Sequence, residues 1–226
     1  AVGLIKIGLR ELNRIDGAND FYHVPIQLLA SGLERFMKCI ICFHYLGTKG
    51  EFPARDVFPA GKKGHNLVWL LKKIAMDCFS DSYLSNIPAA RDDIAFLRSD
   101  RQLREVVHIL SDFGESARYY NLNIVLSDNN PGDSPERKWQ QLELQIAKED
   151  PGWAKELTDG KGISRTYQRV TSRVTAHCER LVRGLSRLFT IGGLVEEAKR
   201  NTSYVKDFLY LRDEDLGTKD YADAKL

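Results

Sequence analysis

The sequence of 226 residues lacks the features that define several protein classes. Four cysteines are too few for the disulfide framework of a small secreted protein. The longest apolar stretch, around residues 37–46, is interrupted by Lys38 and His44 and is far shorter than the roughly 20 residues that cross a bilayer. Residues 1–10 carry no signal-peptide pattern. We therefore expect a cytoplasmic protein with reduced thiols and no membrane contact.

The alternation of apolar and polar residues that predicts β-strands is also missing, apart from an ambiguous stretch at 2–9. Apolar residues instead recur at steps of three and four over most of the chain, which predicts helices. We expect them at about 22–46, 66–79, 89–98, 100–126, 136–148, 164–191 and 194–211, with Asn66 as an N-cap and a long connection at 47–64. The fold class is therefore all-α, an up-and-down helical bundle.

A loop rich in Asp, Asn, Gly and Pro at 128–135 divides the predicted helices into two groups. The second group is too small for a substantial core of its own. We therefore expect residues 1–126 to form the bundle core and residues 127–212 to pack on the same bundle as additional helices. Residues 213–226 are polar, which predicts a flexible tail.

The charges balance overall, with 33 basic and 31 acidic side chains, but residues 161–191 contain seven basic and one acidic residue. At 100° per residue, six arginines share about 80° of the predicted helix, opposite its apolar stripe: Arg165, Arg169, Arg173, Arg180, Arg183 and Arg187. A shared face of guanidinium groups is typical of a phosphate-binding surface. Neutralisation by the acidic segment 131–160, or a solvated face, is the alternative.

Residue types that carry chemistry do not form a recognisable metal or nucleophile motif. Cys39, Cys42 and His44 lie in the most apolar predicted helix, where His44 points away from Cys42, and no second cysteine pair completes a zinc site. The glycines and lysines of the 47–64 connection fit neither a phosphate loop nor a dinucleotide motif, and they favour a flexible basic loop. We expect neither a metal nor a cofactor.

A polar and aromatic cluster late in the predicted helix 100–126 is the remaining candidate for a ligand site. Arg118 lies between Ala117 and two tyrosines, where it needs an anion or a group of carbonyls. Its neighbours could contact a phosphate or a base, or form an internal network: Glu115, Tyr119, Tyr120, Asn121 and Asn123.

Three segments in this order resemble the HEPN superfamily of small helical bundles. The first is Gly32-Leu33-Glu34-Arg35-Phe36-Met37-Lys38, similar to a family helix with Glu-Arg followed by Lys. The second, Gly64-His65-Asn66-Leu67, is similar to the beginning of the family's second helix. The third, Ala117-Arg118-Tyr119, is similar to its arginine-tyrosine motif. Together they cover about half of the chain.

The resemblance implies a bundle, often a homodimer, associated with RNA, nucleotides, or toxin–antitoxin and defence systems. Many members are metal-independent ribonucleases that pair an arginine with a histidine after four to six intervening residues. Arg118 matches the arginine, but the matching positions hold Asn123, Ile124 and Val125. None of these side chains titrates near neutral pH as histidine does.

We therefore expect a non-catalytic, HEPN-like protein that binds RNA, a nucleotide or a protein partner. One alternative is a divergent endoribonuclease in which Arg118 stabilises the transition state and a base comes from elsewhere. The other is a structural subunit of a helical oligomer, whose arginine face docks on an acidic partner helix.

Overall fold

The computed structural model describes residues 1–15, 21–115, 120–126, 134–150, 152 and 162–224, and within them it confirms the all-α prediction, since they contain no strand. The α-helices of these ranges are α1 (Val2–Leu12), α2 (His23–Lys49), α3 (Leu67–Asp77), α4 (Asp81–Asn86), α5 (Pro88–Ser99), α6 (Arg101–Glu115), α7 (Tyr120–Val125), α8 (Pro135–Lys148), α9 (Gly162–Arg187), α10 (Glu196–Lys199) and α11 (Thr202–Leu209). Short 3₁₀ turns lie at Arg55–Val57, Gly61–His65 and Asp213–Asp215.

The long helix α2 packs against α1, α3 and α6. Two glycines bring α1 and α2 together: a Cβ on Gly32 would lie 2.8 Å from Ile5 Cγ1, and a Cβ on Gly8 would lie 2.8 Å from Leu29 Cγ. Larger side chains at these positions would separate the two helices, because a packed core has no free volume to absorb them.

The helices after residue 126 share the apolar core of the helices before it. α8 packs on α6, and α9 packs on α5, α6, α8 and α11. Trp139 of α8, Leu185 of α9 and Phe208 of α11 are fully buried, as is Phe113 of α6. One core therefore connects both parts of the described chain.

Several element boundaries differ from the sequence prediction. Residues 2–9 are helical, with Ile5, Leu9 and Leu12 buried at helical spacing. α2 continues through Gly47 and ends at Gly50, whose left-handed φ of 81° closes the helix. The predicted loop before Pro88 contains α4, whose first turn is capped by the Ser80 hydroxyl accepting from the Tyr83 N–H.

The predicted helices at 100–126 and 194–211 are each shorter in the structure. α6 ends at Glu115 and α7 begins at Tyr120, while residues 116–119 lie outside the described part. The region 194–211 forms two short helices, α10 and α11. None of the helices in the described ranges has the length and apolar character needed to span a membrane.

The expectation of a flexible tail from residue 213 is wrong for residues 213–224. Tyr221 and Gly217 are buried against α9, where the Ser172 hydroxyl donates to the Gly217 carbonyl at 2.6 Å. Gly217 has φ of 78°, and a side chain there would collide with the Ser172 carbonyl. A few contacts therefore hold residues 213–224 against α9, although the polar composition of this segment does not predict that it packs on the bundle. Residues 225 and 226 lie outside the described part.

Candidate functional site

Glu34 connects the first two segments of the family resemblance. It lies one helical turn before Lys38 on α2, so the two side chains share a face. Lys38 Nζ donates to Glu34 Oε1 at 2.6 Å, and His65 Nδ1 lies 2.9 Å from Glu34 Oε2. Burial raises the pKa of Glu34, but the hydrogen bonds from Lys38 and His65 outweigh it and hold that pKa below its usual value.

The ionised Glu34 carboxylate fixes the hydrogen-bonding role of His65. A carboxylate only accepts hydrogen bonds, so the Nδ1 of His65 carries a proton and donates it to Glu34. In the neutral imidazole this leaves Nε2 as an acceptor. The His65 side chain is 38% exposed, so solvent or a ligand can reach it.

Asn66 connects the second segment to the end of α6. Its Oδ1 accepts from the Trp69 N–H at 2.6 Å, which confirms the predicted N-cap of α3. Its Nδ2 donates to Glu115 Oε1 at 2.7 Å. Ser111 donates to the same oxygen at 3.0 Å and accepts from the Leu67 N–H at 2.9 Å. The beginning of α3 is thereby joined to the last turn of α6.

The structure describes only part of the Arg118 cluster. Glu115 belongs to the Asn66 network, which corresponds to the internal-network alternative for this residue. Tyr120 and Asn123 lie half-buried on α7. Arg118 and Tyr119 lie outside the described residues, as does the side chain of Asn121. The proposed contacts of these three side chains therefore stay predictions.

A cleft of about 480 Å³ opens beside His65. We call it the His65 cleft, and its lining includes Lys38, Arg55, Phe58, Gly61, Gly64 and His65. Lys38 Nζ lies 5.6 Å from the centre of the Phe58 ring. Arg55 is exposed, and no carboxylate of the described chain pairs with it. Asp56 is the one carboxylate among the described residues that line the cleft.

The connection 47–64 has a defined shape where the sequence favoured a flexible loop. Gly61 adopts φ of 62°, and a Cβ on Gly64 would lie 2.6 Å from the Pro59 carbonyl oxygen. Both glycines allow the loop to fold back tightly. Arg55 and Phe58 were missed as site residues, because a loop has no periodicity from which their orientation could be predicted.

The arginine face of α9 is not the free surface that the helical wheel predicts. Arg169 Nε donates to Asp150 Oδ2 at 2.8 Å, and Arg173 lies 3.6 Å from Glu149. Both carboxylates belong to the acidic segment 131–160. For these two arginines the structure therefore corresponds to the alternative of internal neutralisation.

Arg183 and Arg187 are held by carboxylates from two other regions. Arg183, which is 5% exposed, donates to the Leu211 carbonyl at 2.8 Å and to Asp213 Oδ1 at 2.6 Å. Arg187 Nη1 donates to both oxygens of the buried Asp93, at 2.7 and 2.8 Å. Burial raises the pKa of Asp93, and the arginine contacts offset this only in part.

The last two arginines of the predicted face differ from these four. Arg180 stacks on Phe96, with its guanidinium carbon 4.2 Å from the ring centre, and Arg165 is exposed. A cleft of about 630 Å³ beside Arg180 has both signs of charge in its lining, including Asp92, Asp93 and Asp100. The mixed lining does not favour an anionic ligand there.

In the described part of the chain, no three histidine, cysteine or acidic side chains cluster in a way that could hold a metal. Cys39 and Cys42 are half-buried on α2, and burial raises the pKa of both thiols. Comparison with protein-family models, with curated proteins and with solved structures finds no match to this chain. Function therefore has to be inferred from the chain's own residues.

Proposed function

We propose that this protein is a non-catalytic, HEPN-like helical bundle that binds the phosphate groups of RNA or a nucleotide in the His65 cleft. The observation that carries the proposal is the hydrogen bond between Glu34 and His65 at an open cleft, with the next residue, Asn66, hydrogen-bonded to Glu115. These residues come from the first two resemblance segments and from the turn just before the third.

The residues of the His65 cleft suit a nucleotide ligand. Arg55 offers a guanidinium fork that matches phosphate oxygens. His65 offers an imidazole held in place by Glu34. Phe58 offers an aromatic side chain, and stacking of a base on such a ring stabilises single-strand binding by about 1–3 kcal/mol. The sequence of the same loop also contains two further basic residues, Lys62 and Lys63.

Binding can be tested by fluorescence anisotropy with a labelled single-stranded RNA and with labelled ATP. We expect Arg55→Glu to weaken binding at least tenfold, because it replaces an attractive charge by a repulsive one. Arg91→Glu is the matched control, since Arg91 is exposed on α5 outside the cleft, and it should change binding less than twofold. The affinity should fall steeply with salt. Equal effects of the two substitutions, or a flat salt response, would contradict the proposal.

A divergent endoribonuclease is the second candidate, and the hydrogen bond between His65 and Glu34 favours it. A carboxylate that orients an imidazole is a common arrangement for a general base, and no histidine follows Arg118 at the matching positions. Incubation of labelled RNA with the wild type, Arg118→Ala and His65→Ala tests this candidate. Cleavage by the wild type that both substitutions abolish would support the endoribonuclease. RNA that the wild type leaves intact would contradict it and leave RNA binding as the proposed function.

Self-association and a cytoplasmic location remain part of the proposal. Four neighbouring apolar side chains at and beyond α7 are exposed, which suits an interface: Leu122, Ile124, Val125 and Leu126. Size-exclusion chromatography with light scattering should show a dimer, and a monomer at all concentrations would contradict it.

A further inference from the structure

An apolar groove of about 390 Å³ lies on the surface between α3, α5 and α6, apart from the His65 cleft. Its apolar lining consists of Val68, Leu71, Ala75, Met76, Leu97 and Val107. The four α3 residues follow the i, i+3, i+7, i+8 spacing of a single helix face. At 1.5 Å per residue they extend over about 12 Å, or a little more than two helical turns.

Met76 distinguishes this groove from an ordinary shallow depression. Its side chain is 65% exposed, although methionine is among the residues most often buried. Contact with a partner would remove this apolar surface from water, which is favourable. A thioether side chain also adapts its shape to different partners.

The rim of the groove is basic on all three helices. It is formed by Lys72 of α3, Arg98 of α5, and Arg104 and His108 of α6. No acidic residue of the described chain lines the groove. Arg98 donates to the Ala75 carbonyl at 2.7 Å, whereas Lys72 and Arg104 have no carboxylate partner within the described ranges.

We propose that the groove binds an amphipathic helix of a protein partner that carries acidic residues beside its apolar face. The apolar lining between α3, α5 and α6 has the length of a helix of two to three turns. Binding of an amphipathic helix in such a groove is a common mode of peptide recognition. Basic residues on three sides suit several carboxylates rather than the single head group of a fatty acid. The mainly apolar lining suits a peptide better than the charged backbone of RNA.

The proposal can be tested by selecting a phage-displayed library of 12-residue peptides on the whole protein. Counter-selection uses Met76→Glu, which changes an exposed side chain and should leave the circular dichroism spectrum unaltered. We expect at least tenfold enrichment on the wild type over this variant. The enriched peptides should have apolar residues at i, i+3 or i+4 spacing and a net negative charge.

The strongest selected peptide is then labelled with fluorescein and titrated by anisotropy. The double variant Lys72→Glu/Arg104→Glu should bind it at least tenfold more weakly, whereas Arg91→Glu should change binding less than twofold. A peptide whose acidic residues are replaced by lysine should regain affinity for the double variant, which also shows that this variant is folded.

Three results would overturn the proposal. The first is enrichment that does not depend on Met76, or that yields neutral or basic peptides. The second is unchanged binding by the double variant. The third is that a labelled fatty acid or RNA, rather than any peptide, binds in a manner that depends on Met76 and Arg104.

Discussion

The His65 cleft and the arginine face of α9 use the same kinds of charged side chain with opposite results. In the cleft, Glu34 holds Lys38 and His65 at the edge of an open space, and Arg55 has no carboxylate partner in the described chain. On α9, four of six arginines are held by carboxylates of the protein itself. A run of basic residues therefore indicates a binding surface only when the fold places no acidic residues opposite it.

Breaking the most buried of these pairs should have the largest effect. Arg187→Met leaves Asp93, which is 3% exposed, as a buried carboxylate without its bidentate partner. We expect the free energy of unfolding to fall by about 3–5 kcal/mol at pH 7 in urea denaturation. The double variant Asp93→Asn/Arg187→Met should recover part of this loss. A loss below 1 kcal/mol in the single variant would mean that the arginine is not structural.

Glu143 extends the comparison to a buried carboxylate that accepts from neutral donors. Tyr22 OH and Trp139 Nε1 donate to it at 2.8 and 3.1 Å. Burial nevertheless raises its pKa from 4.5 to about 6. Between these two values the folded protein binds more protons at this site than the unfolded chain, so this residue's contribution to stability falls as the pH rises.

Glu143→Gln should remove that pH dependence. The wild type should lose about 2 kcal/mol relative to the variant as the pH rises from below 4.5 to above 6. Urea denaturation of both proteins across this range measures the difference. Parallel stability curves would contradict the raised pKa.

The polar network that joins the beginning of α3 to the end of α6 can be broken at Asn66, the residue after His65. Asn66→Ala removes the cap of α3 and the hydrogen bond to Glu115, and we expect a loss of about 1 kcal/mol. Asn66→Asp is the informative control, because it keeps the cap but places a second carboxylate beside Glu115. If the network positions His65, RNA affinity should fall with both changes. Unaltered affinity would show that the network does not contribute to RNA binding.

The smallest effect is expected for the exposed pair between Arg173 and Glu149. Both side chains are more than two-fifths exposed, so water and salt screen their attraction. Arg173→Met should lower the free energy of unfolding by less than 1 kcal/mol, and 1 M NaCl should remove the difference. A loss as large as that of Arg187→Met would eliminate the contrast between buried and exposed pairs.

Periodicity predicted most helices because the apolar stripe that defines a helix in the sequence is the stripe that packs in the core. The Asn66 cap was also predictable, since a cap depends on local geometry. The helical wheel placed Arg183 on the solvent side, but residues distant in sequence cover it. The wheel describes a single helix and cannot show which other segments pack on it.

The His65 cleft was not predicted from the sequence, although Glu34 and His65 lie in two of the segments that carry the family resemblance. Glu34 and His65 are 31 residues apart, and the loop that carries Arg55 and Phe58 has no repeating pattern. Their meeting depends on how α2, α3 and α6 cross, which is a property of the packed bundle. The sequence therefore placed Glu34 and His65 in two resemblance segments but predicted neither their contact nor the cleft beside them.

Glu179 is fully buried within the basic helix α9, and its partners come from near the end of the described chain. Gly217 N–H and Tyr221 O–H donate to its two oxygens at 2.5 and 2.7 Å. These donors follow Glu179 by 38 and 42 residues in the chain. Until they pack on α9, Glu179 must stay hydrated or protonated, because burying an unpaired carboxylate is costly. The burial of this part of α9 therefore depends on residues 217–221.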